Sequence, residues 1–411
     1  MRKIDRYGDL SGRTVVLAFS GGLDTSFCVT YLQEVYGARV MTVTVDTGGF
    51  GAEELARIER RSAALGAAAG HRTLDATQAL YREFLAPLIR GNVLRGGVYP
   101  LSVSAERVLQ AREVASLALR SGAAAVVHGS TGAGNDQIRF DTALAVLAPE
   151  LPCLTPIRDL GAGREEETAF LESRGIPVEK KTTAYSINEG LWGTTIGGRE
   201  THGSWEEVPE HLYPGATPAQ APAQGRSLVL GFERGLPVAI DGESMDGVTL
   251  IRRLNALGLE HAIGRGVHVG DTILGIKGRV AFSAPGPHAI LRAHRELEKL
   301  VLTGWQAFWK DQVSAFYGQL LHGGQYFDPV MRDIEAMLES SQARVRGEVR
   351  VKLCRGVLDV TGARSPHSMM DPRVAVYGEG MKLWTGDEAR GFAKIYGIPP
   401  VLWARAGKED E

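Results

Sequence analysis

The sequence has few cysteines and no long apolar run, and each lack excludes a class of protein. Its 411 residues include 3 cysteines, Cys28, Cys153 and Cys354, with no C-x-x-C pair and no histidine cluster at metal-ligand spacing. A zinc site and a disulfide framework are therefore unsupported, as is typical of a reducing cytosol. No stretch approaches the roughly 18 apolar residues of a membrane span, and the charged N-terminus lacks a secretory signal. We expect a cytoplasmic protein with no membrane partner and no metal site of its own.

An excess of charge of one sign is also lacking. The chain carries 46 Lys and Arg against 48 Asp and Glu, a formal net charge of −2. This balance argues against a nucleic-acid-coating surface, so we expect no nucleic-acid partner. The length and a hydrophobic content of 44% predict two to three globular domains with ample core.

The Walker phosphate-binding motif is absent, but a different phosphate loop is present. An apolar, β-branched run over Thr14–Phe19 predicts a buried strand, and it breaks into Ser-Gly-Gly-Leu-Asp-Thr-Ser at residues 20–26 before a helical pattern. The glycines allow a tight turn in which backbone N–H groups, hydroxyls and the positive end of the helix dipole face one anion. The alternative is an ordinary strand–turn–helix corner capped by Asp24 or Thr25. The density of glycines and hydroxyls favours the phosphate site.

Strands alternate with helices over the first part of the chain, which predicts a parallel sheet covered on both faces. The predicted strands are Thr14–Phe19, Arg39–Asp46, His71–Leu74, Ala124–His128 and Leu151–Ile157, and the predicted helices are Glu53–Leu65, 76–90, 103–121 and Glu165–Arg174. Ligands of such sheets bind beyond the carboxyl ends of the strands. We therefore expect the loops at Ser20, Asp46 and Gly129 to meet at one site.

The loop at residues 128–140 reads His-Gly-Ser-Thr-Gly-Ala-Gly-Asn-Asp-Gln-Ile-Arg-Phe. Its Gly-Ala-Gly at 132–134 suggests a dinucleotide fingerprint, but the third glycine is missing. A glycine-rich turn capped by Asn135 or Asp136 is a second interpretation. A third uses both charges, because Asp136 suits an ammonium group while Arg139 suits a carboxylate. An amino acid carries both groups, so this loop beside a phosphate site predicts amino-acid adenylation or ligation.

The second half of the chain reads as α+β with antiparallel strands. The predictions are a polar–aromatic segment without periodicity at 183–195, a long loop at Pro209–Arg226, a hairpin of Ser227–Phe232 and Val238–Ile240, short strands at Thr272–Ile276 and Val280–Phe282, helices at 289–302 and 304–320, and a hairpin at 349–361. The tail has an amphipathic helix, Asp387–Tyr396, ended by Gly397 and Pro399-Pro400. Apolar Val401-Leu402-Trp403 follows, and it needs burial on its own chain or on a neighbour. We predict domains at 1–175, 176–370 and 371–411.

Three separated motifs agree in order and spacing with one known family. Residues 18–26, 128–140 and 185–193 together resemble argininosuccinate synthase, a member of the N-type ATP pyrophosphatase superfamily, and the resemblance runs from about residue 14 to beyond 300. It implies an adenine nucleotide α-hydrolase-like domain, an α+β synthetase domain and a C-terminal oligomerisation helix. It also implies a ligase of arginine biosynthesis that joins citrulline to aspartate with ATP and Mg²⁺ through citrullyl-AMP, releasing AMP and diphosphate. Members are typically homotetramers.

The resemblance also implies a set of site residues. ATP and pyrophosphate would lie on Ala18, Ser20, Gly21, Gly22, Asp24, Thr25, Ser26, Val45 and Gly129. Aspartate would lie on Thr131, Asn135 and Asp136, and citrulline on Tyr99, Ser104, Asn135, Arg139, Ser186 and Thr195, with Arg107 nearby. Catalytic roles would fall to Ser20, Asp24 and Arg139.

The chain departs from the family pattern at three positions. Thr195 stands where the family has a serine and keeps the hydroxyl. Gly270 and Phe282 stand where the family has a citrulline-binding glutamate and tyrosine, and neither can make those hydrogen bonds; Asp271 is a candidate replacement for the glutamate. These changes keep open a related ligase that acts on a modified citrulline or another ureido compound, and also a catalytically silent nucleotide-binding paralogue. A separate alternative keeps the ATP pyrophosphatase half with another acceptor, such as a tRNA base.

Overall fold

The structure is a computed structural model that describes residues 1–178, 185–378 and 380–407. It contains two compact units, one from Met1 to Ser365 and another that begins at Pro366. Residues 183 and 184 of the predicted polar–aromatic segment lie outside the described residues. Within those ranges, no helix is both long and apolar enough to cross a membrane.

A five-stranded parallel sheet organises the first part of the chain. Its strands are β1 (Thr14–Ala18), β2 (Arg39–Asp46), β3 (His71–Asp75), β4 (Ala125–Val127) and β5 (Cys153–Leu154), in the spatial order β3-β2-β1-β4-β5. The central strand β1 pairs with both β2 and β4, so the strand order reverses beside it. The carboxyl end of β1 is therefore the place where a ligand is expected in such a sheet. The predicted parallel α/β fold is confirmed.

Helices cover both faces of this sheet. They are α1 (Leu23–Tyr36), α2 (Ala52–Ala64), α3 (Thr77–Ala79), a π-helical segment (Leu80–Leu85), α4 (Ala86–Gly91), α5 (Ser102–Arg120), α6 (Asp136–Leu147), α7 (Pro156–Leu160) and α8 (Arg164–Glu172). Phe27 stacks on Tyr31 in one core cluster, and Phe84 stacks on Tyr326 in another. The prediction of a strand over 151–157 was too long, because Pro156 begins α7, a position that proline favours.

Two antiparallel sheets follow. One has the order β11-β12-β7-β6 and contains β6 (Tyr185–Asn188), β7 (Thr194–Gly198), β11 (Arg265–Asp271) and β12 (Lys277–Ser283). The other has the order β10-β9-β8-β13-β14 and contains β8 (Arg226–Glu233), β9 (Leu236–Ile240), β10 (Glu243–Ser244), β13 (Gly347–Cys354) and β14 (Val357–Arg364). The helices of this half are α9 (Gly247–Glu260), α10 (Pro285–Val301), α11 (Gly304–His322) and α12 (Pro329–Ser341).

Both predicted hairpins are present, but one predicted strand is wrong. Residues 272–276 form the turn between β11 and β12, in which the Thr272 N–H donates to the Ile276 carbonyl at 2.8 Å. Gly275 adopts a φ of +82°, which a β-strand does not allow. The β-branched residues Thr272, Ile273 and Ile276 favoured the prediction of a strand, but the left-handed backbone of Gly275 belongs to a turn.

The unit that begins at Pro366 contains β15 (Ala375–Val376), β16 (Gly380–Met381), α13 (Gly386–Tyr396) and α14 (Ile398–Ala406). The amphipathic helix is confirmed. The proline pair does not end the helical region, because it lies in the first turn of α14, where proline is tolerated.

Candidate active site

The loop at residues 20–26 forms the predicted anion-binding turn between β1 and α1. Gly21 has a φ of +73°, and a Cβ there would lie 3.3 Å from Ile58 Cγ1, so a glycine is required. Ser20 Oγ lies 3.3 Å from Thr25 Oγ1 and accepts a hydrogen bond from the Gly22 N–H at 3.4 Å. Two hydroxyls thus lie together at the N-terminus of α1, where an anion is favoured.

One hydroxyl of the predicted set faces elsewhere. The Ser26 side chain is fully buried, and its Oγ accepts from Arg61 Nε at 3.1 Å. Asp24, in the first turn of α1, is half-buried beside Glu167 of α8. Burial and the neighbouring carboxylate of Asp24 raise the pKa of Glu167 to about 8. With its raised pKa, Glu167 holds a proton more readily than an exposed glutamate, and it forms a side-chain hydrogen bond with Asp24.

Two of the three loops predicted to share a site, the loop after β1 and the loop after β4, are in contact. A Cβ on Gly129 would lie 3.1 Å from Thr25 Cγ2 and 3.5 Å from the carbonyl carbon of Asp24. This close approach follows from the pairing of β1 with β4, whose last registered pair is Leu17 with Val127. The glycine-rich loop after β4 and the predicted phosphate loop after β1 therefore lie against each other at the carboxyl ends of their strands. Val45, near the carboxyl end of β2, is buried, and β2 flanks β1 on the side opposite β4.

Asp136 joins two arginines at the N-terminus of α6. Its Oδ2 accepts from Arg107 Nε and its Oδ1 from Arg139 Nη1, both at 2.9 Å. Although burial opposes ionisation, the two guanidinium groups hold the pKa of Asp136 below its usual value. Arg107 Nη2 also donates to Asn188 Oδ1 at 2.9 Å, which ties this cluster to β6. We call Arg107, Asp136 and Arg139 the charged triad.

The remaining donors of Arg139 are directed to α11. Its Nε and Nη2 donate to the His322 carbonyl at 3.2 and 3.1 Å, and the Arg139 side chain is 4% exposed. Burial and the positive charges of Arg139 and Arg95 lower the pKa of His322 to about 3, so this imidazole is neutral. Asn135, beside the triad, accepts from the Ile273 N–H at 2.9 Å and so contacts the β11–β12 turn.

Tyr99 packs against strands β11 and β12 of the second sheet. Its buried ring stacks on His268, with centroids 6.0 Å apart, and lies 5.5 Å from Phe282. Ser104 is buried in the first turn of α5. Thr195 lies between Asn188 and Phe282 in the cross-strand register of β6, β7 and β12, so it belongs to the same row. Ser186, also on β6, is exposed.

The structure shows what fills the space beside Gly270. A Cβ at that position would lie 2.6 Å from His268 Nε2 and 3.7 Å from Arg95 Nε, so the imidazole occupies the room a longer side chain would need. Asp271 is exposed and pairs with Lys277 across the hairpin at 2.6 Å. Its carboxylate therefore faces Lys277 at the end of the hairpin.

A second polar cluster supports the loop after β4. Asp141 accepts from His128 Nε2 at 2.9 Å and from Arg158 Nη1 at 2.6 Å. Burial alone would raise its pKa, but these two donors lower the pKa of Asp141 to about 2. His128, Asp141 and Cys153 have ligand atoms within 4.8 Å of one another. The bond from Arg158 to the carboxylate makes this cluster an ion-pair network that holds the loop.

Four polar residues near the site were missed by sequence reasoning: Arg95, Glu106, Asn188 and His268. Asn188 lies inside the quoted 185–193 motif, and Glu106 is an acid next to Ala105 and close to Val108 in a largely apolar helix. The position of Asn188 in a motif and the apolar neighbours of Glu106 are both visible in the sequence. Arg95 and His268 carry none, because only the packing of β11 against the segment before Tyr99 brings them together.

These features define an α/β domain in which the glycine-containing loops after β1 and β4 contact each other, and the second loop leads into the charged triad. This arrangement is typical of nucleotide-binding α/β domains. The family model for the argininosuccinate synthase N-terminal HUP domain matches residues 14–177, and the model for the C-terminal domain of that family matches residues 185–403. The chain belongs to the argininosuccinate synthase family.

Curated relatives agree over the full length. The chain is 41% identical to the argininosuccinate synthase of Xanthomonas campestris pv. campestris over 404 residues, which are 97% of this chain and 100% of the relative. It is 37% identical to that of Methanocaldococcus jannaschii over 391 residues, 95% and 98% of the two chains. The enzyme of Rubrobacter xylanophilus is 38% identical over 398 residues, 96% of each chain.

Proposed function

We propose that this protein joins the ureido carbon of citrulline to the amine of aspartate at the expense of ATP, giving argininosuccinate, AMP and diphosphate. The observation that carries the proposal is the contact of the Gly129 loop with Asp24 and Thr25. This contact supports a site in which a phosphate-binding turn and an amino-acid-type charge cluster act together. A ligase that activates one amino acid with ATP and then adds another requires that arrangement.

In the proposed first step, the ureido oxygen of citrulline attacks the α-phosphate of ATP. The turn at Ser20, Gly21 and Gly22 would hold the departing diphosphate through N–H groups and hydroxyls. Ala18 and Val45 would contact the adenosine. Mg²⁺ prefers oxygen ligands, and phosphate oxygens would supply most of them, so its contribution is to neutralise charge on the phosphates.

In the proposed second step, the aspartate amine displaces AMP from citrullyl-AMP. The charged triad offers the carboxylate of Asp136 to the ammonium group of aspartate, while Thr131 and Asn135 border the same loop. Tyr99, Ser104, Ser186 and Thr195 would line the citrulline side, with Arg139 between the two substrates. Ser20, Asp24 and Arg139 remain our proposed catalytic groups, acting by positioning and by charge stabilisation.

Oxygen labelling tests the proposal directly. Citrulline labelled with ¹⁸O in the ureido group should transfer its label to AMP, and argininosuccinate should form only when ATP, citrulline and aspartate are all present. AMP that forms without the label would refute the proposal, and so would ATP turnover that yields no argininosuccinate. Substituting ureido compounds or tRNA for citrulline in the same assay tests the alternative acceptors, and nucleotide binding without turnover would identify a silent paralogue.

We also propose a homotetramer assembled through the C-terminal unit. In α13 and α14, Phe392, Ile395, Tyr396 and Trp403 are exposed, Trp403 at 82%. Apolar side chains of this number and size are typical of an interaction surface. Light scattering of the full chain should give four times its mass of 44.3 kDa. A monomer at micromolar concentration would refute the assembly.

The proposed compartment is the cytoplasm. Cys28, Cys153 and Cys354 are free thiols, as expected where thiols stay reduced. Fractionation of the producing cells measures this, and recovery outside the cytoplasmic fraction would contradict it.

A further inference from the structure

Glu106 is a buried acid to which the ligation scheme gives no role. Its side chain lies on α5 and is 3% exposed, and its Oε1 accepts no hydrogen bond from any described residue. A carboxylate buried without a partner is costly unless it takes up a proton or meets a cation. A catalytic role is one of the reasons for which a buried polar group is left in this state.

The space around Glu106 is made by a glycine. A Cβ on Gly190 would lie 1.7 Å from Glu106 Oε1, so any other residue at position 190 would displace the carboxyl group. Gly190 follows β6, whose Asn188 holds Arg107 of the charged triad. Glu106 therefore lies where α5 meets the segment after β6, next to the proposed amine and citrulline sites.

The charges facing Glu106 come from three elements. They are Arg107 and Tyr99 from its own segment, Asp136 from α6 and Asp46 from the end of β2. Burial raises the pKa of Glu106, Arg107 opposes this, and Asp136 and Asp46 add to it, so that the pKa is about 8. An acid that titrates close to the working pH is suited to proton exchange with an alkylammonium group.

We propose that Glu106 accepts the proton that the aspartate ammonium group must lose before its nitrogen attacks citrullyl-AMP, an assignment that rests on the proposed function. An N–H bond breaks and an O–H bond forms on the Glu106 carboxylate. The freed lone pair then forms the C–N bond to the ureido carbon while the C–O bond to AMP breaks. The second proton passes from the new C–N nitrogen to the phosphate of the departing AMP, and Glu106 returns its proton to water.

Glu106→Gln keeps the shape of the side chain but cannot accept a proton. Measuring diphosphate release and the reaction with aspartate separately in this variant tests the assignment. We expect single-turnover diphosphate release from ATP and citrulline to stay within about twofold of wild type. The kcat/KM for aspartate should fall about 100-fold or more. In wild type this kcat/KM should rise with pH up to about 8, and in Glu106→Gln that rise should be absent.

An uncharged nucleophile gives the second measurement. Hydroxylamine is neutral at neutral pH and needs no proton acceptor, so wild type and Glu106→Gln should consume citrullyl-AMP with it at equal rates. Gly190→Ala, which displaces the carboxyl group, should reproduce the selective loss with aspartate. Glu113→Gln is the matched control, because Glu113 lies on the same helix and pairs with Arg112.

Three results would overturn the assignment. Full aspartate activity in Glu106→Gln would do so, as would a parallel loss with aspartate and hydroxylamine, which indicates a structural role. Wild type that makes diphosphate but no argininosuccinate would overturn the proposed function and the Glu106 assignment together. Wild-type ligation with an unaffected Glu106→Gln would overturn the Glu106 assignment alone.

Discussion

Replacing Asp136 by asparagine tests the charged triad, both as a stabilising cluster and as the partner of the amine substrate. Asp136 accepts one bond each from Arg107 and Arg139 at 2.9 Å. A hydrogen bond to a charged group contributes about 1.5–3 kcal/mol, and the amide keeps one acceptor oxygen. Asp136→Asn therefore loses one hydrogen bond and the negative charge. Because the side chain is 34% exposed, solvent screens part of this loss, and we expect the free energy of unfolding to fall by about 2 kcal/mol.

We therefore expect Asp136→Asn to lower the melting temperature by a few degrees. The proposed bond of Asp136 to the substrate ammonium group is also a bond between charged groups, and losing about 2 kcal/mol there would raise the KM for aspartate about 30-fold, while the KM for ATP changes little. The two arginines hold the pKa of Asp136 below its usual value. A lowered folded-state pKa means that the stabilisation is present above about pH 4 and is lost as the pH falls through that lowered value. Melting curves of the two proteins should therefore converge in acid.

Asp271→Asn is the matched control, because Asp271 pairs with Lys277 on the surface, where the two side chains are 59% and 73% exposed. A pair of this kind contributes about 1 kcal/mol or less, and its loss should leave the KM for aspartate unchanged. Equal effects of the two substitutions on the melting temperature would refute the stabilising role of the triad. A wild-type KM for aspartate in Asp136→Asn would refute its role as ammonium partner.

Three further predictions test other parts of the molecule. Gly129→Val places a branched side chain where a Cβ alone would lie 3.1 Å from Thr25 Cγ2, so the KM for ATP should rise about tenfold with an unchanged circular dichroism spectrum; unchanged ATP kinetics would contradict the shared cleft. His128 and Arg158 lower the pKa of Asp141 to about 2, so Asp141→Asn should unfold more easily than wild type above about pH 4. The difference should vanish as the pH falls to about 2. Acid unfolding curves measure this, and a difference that stays constant with pH would contradict it. Trp403→Asp should reduce the mass found by light scattering, and a tetramer in this variant would exclude α14 from the interface.

The parallel sheet and its two loops could be predicted because their signals are local. Seven residues, 20–26, contain the turn glycines and the hydroxyls, and the apolar run before them specifies a buried strand. Helix α9 also carries local signals that the sequence interpretation did not use. Asp246 caps its N-terminus by accepting from the Val248 and Thr249 N–H groups, and Val248, Ile251 and Leu254 form its buried stripe.

The contacts that join the two halves of the site could not be predicted, because they depend on long-range register. Arg107 and Asn188 are 81 positions apart, and no periodicity links a helical arginine to an asparagine in a short strand. The same holds for His268, which lies against Gly270 and Tyr99 only because β11 packs on the segment before α5. Sequence reasoning predicted that Gly270 stands where the family has a glutamate. The imidazole that occupies this space carried no sequence signal.

One row of residues in the second sheet contacts the segment that contains Tyr99 and Arg107. In the register of the four strands, Asn188, Thr195, Phe282 and Gly266 lie side by side, and residues directly opposite one another share a face. At one end of the row Asn188 holds Arg107, and in its middle Phe282 touches Tyr99. Thr195 is therefore positioned from both sides by groups that also border α5. Because a shift of one residue in the register would turn the whole row to the opposite face, the proposed citrulline side of the site depends on this pairing as much as on any single side chain.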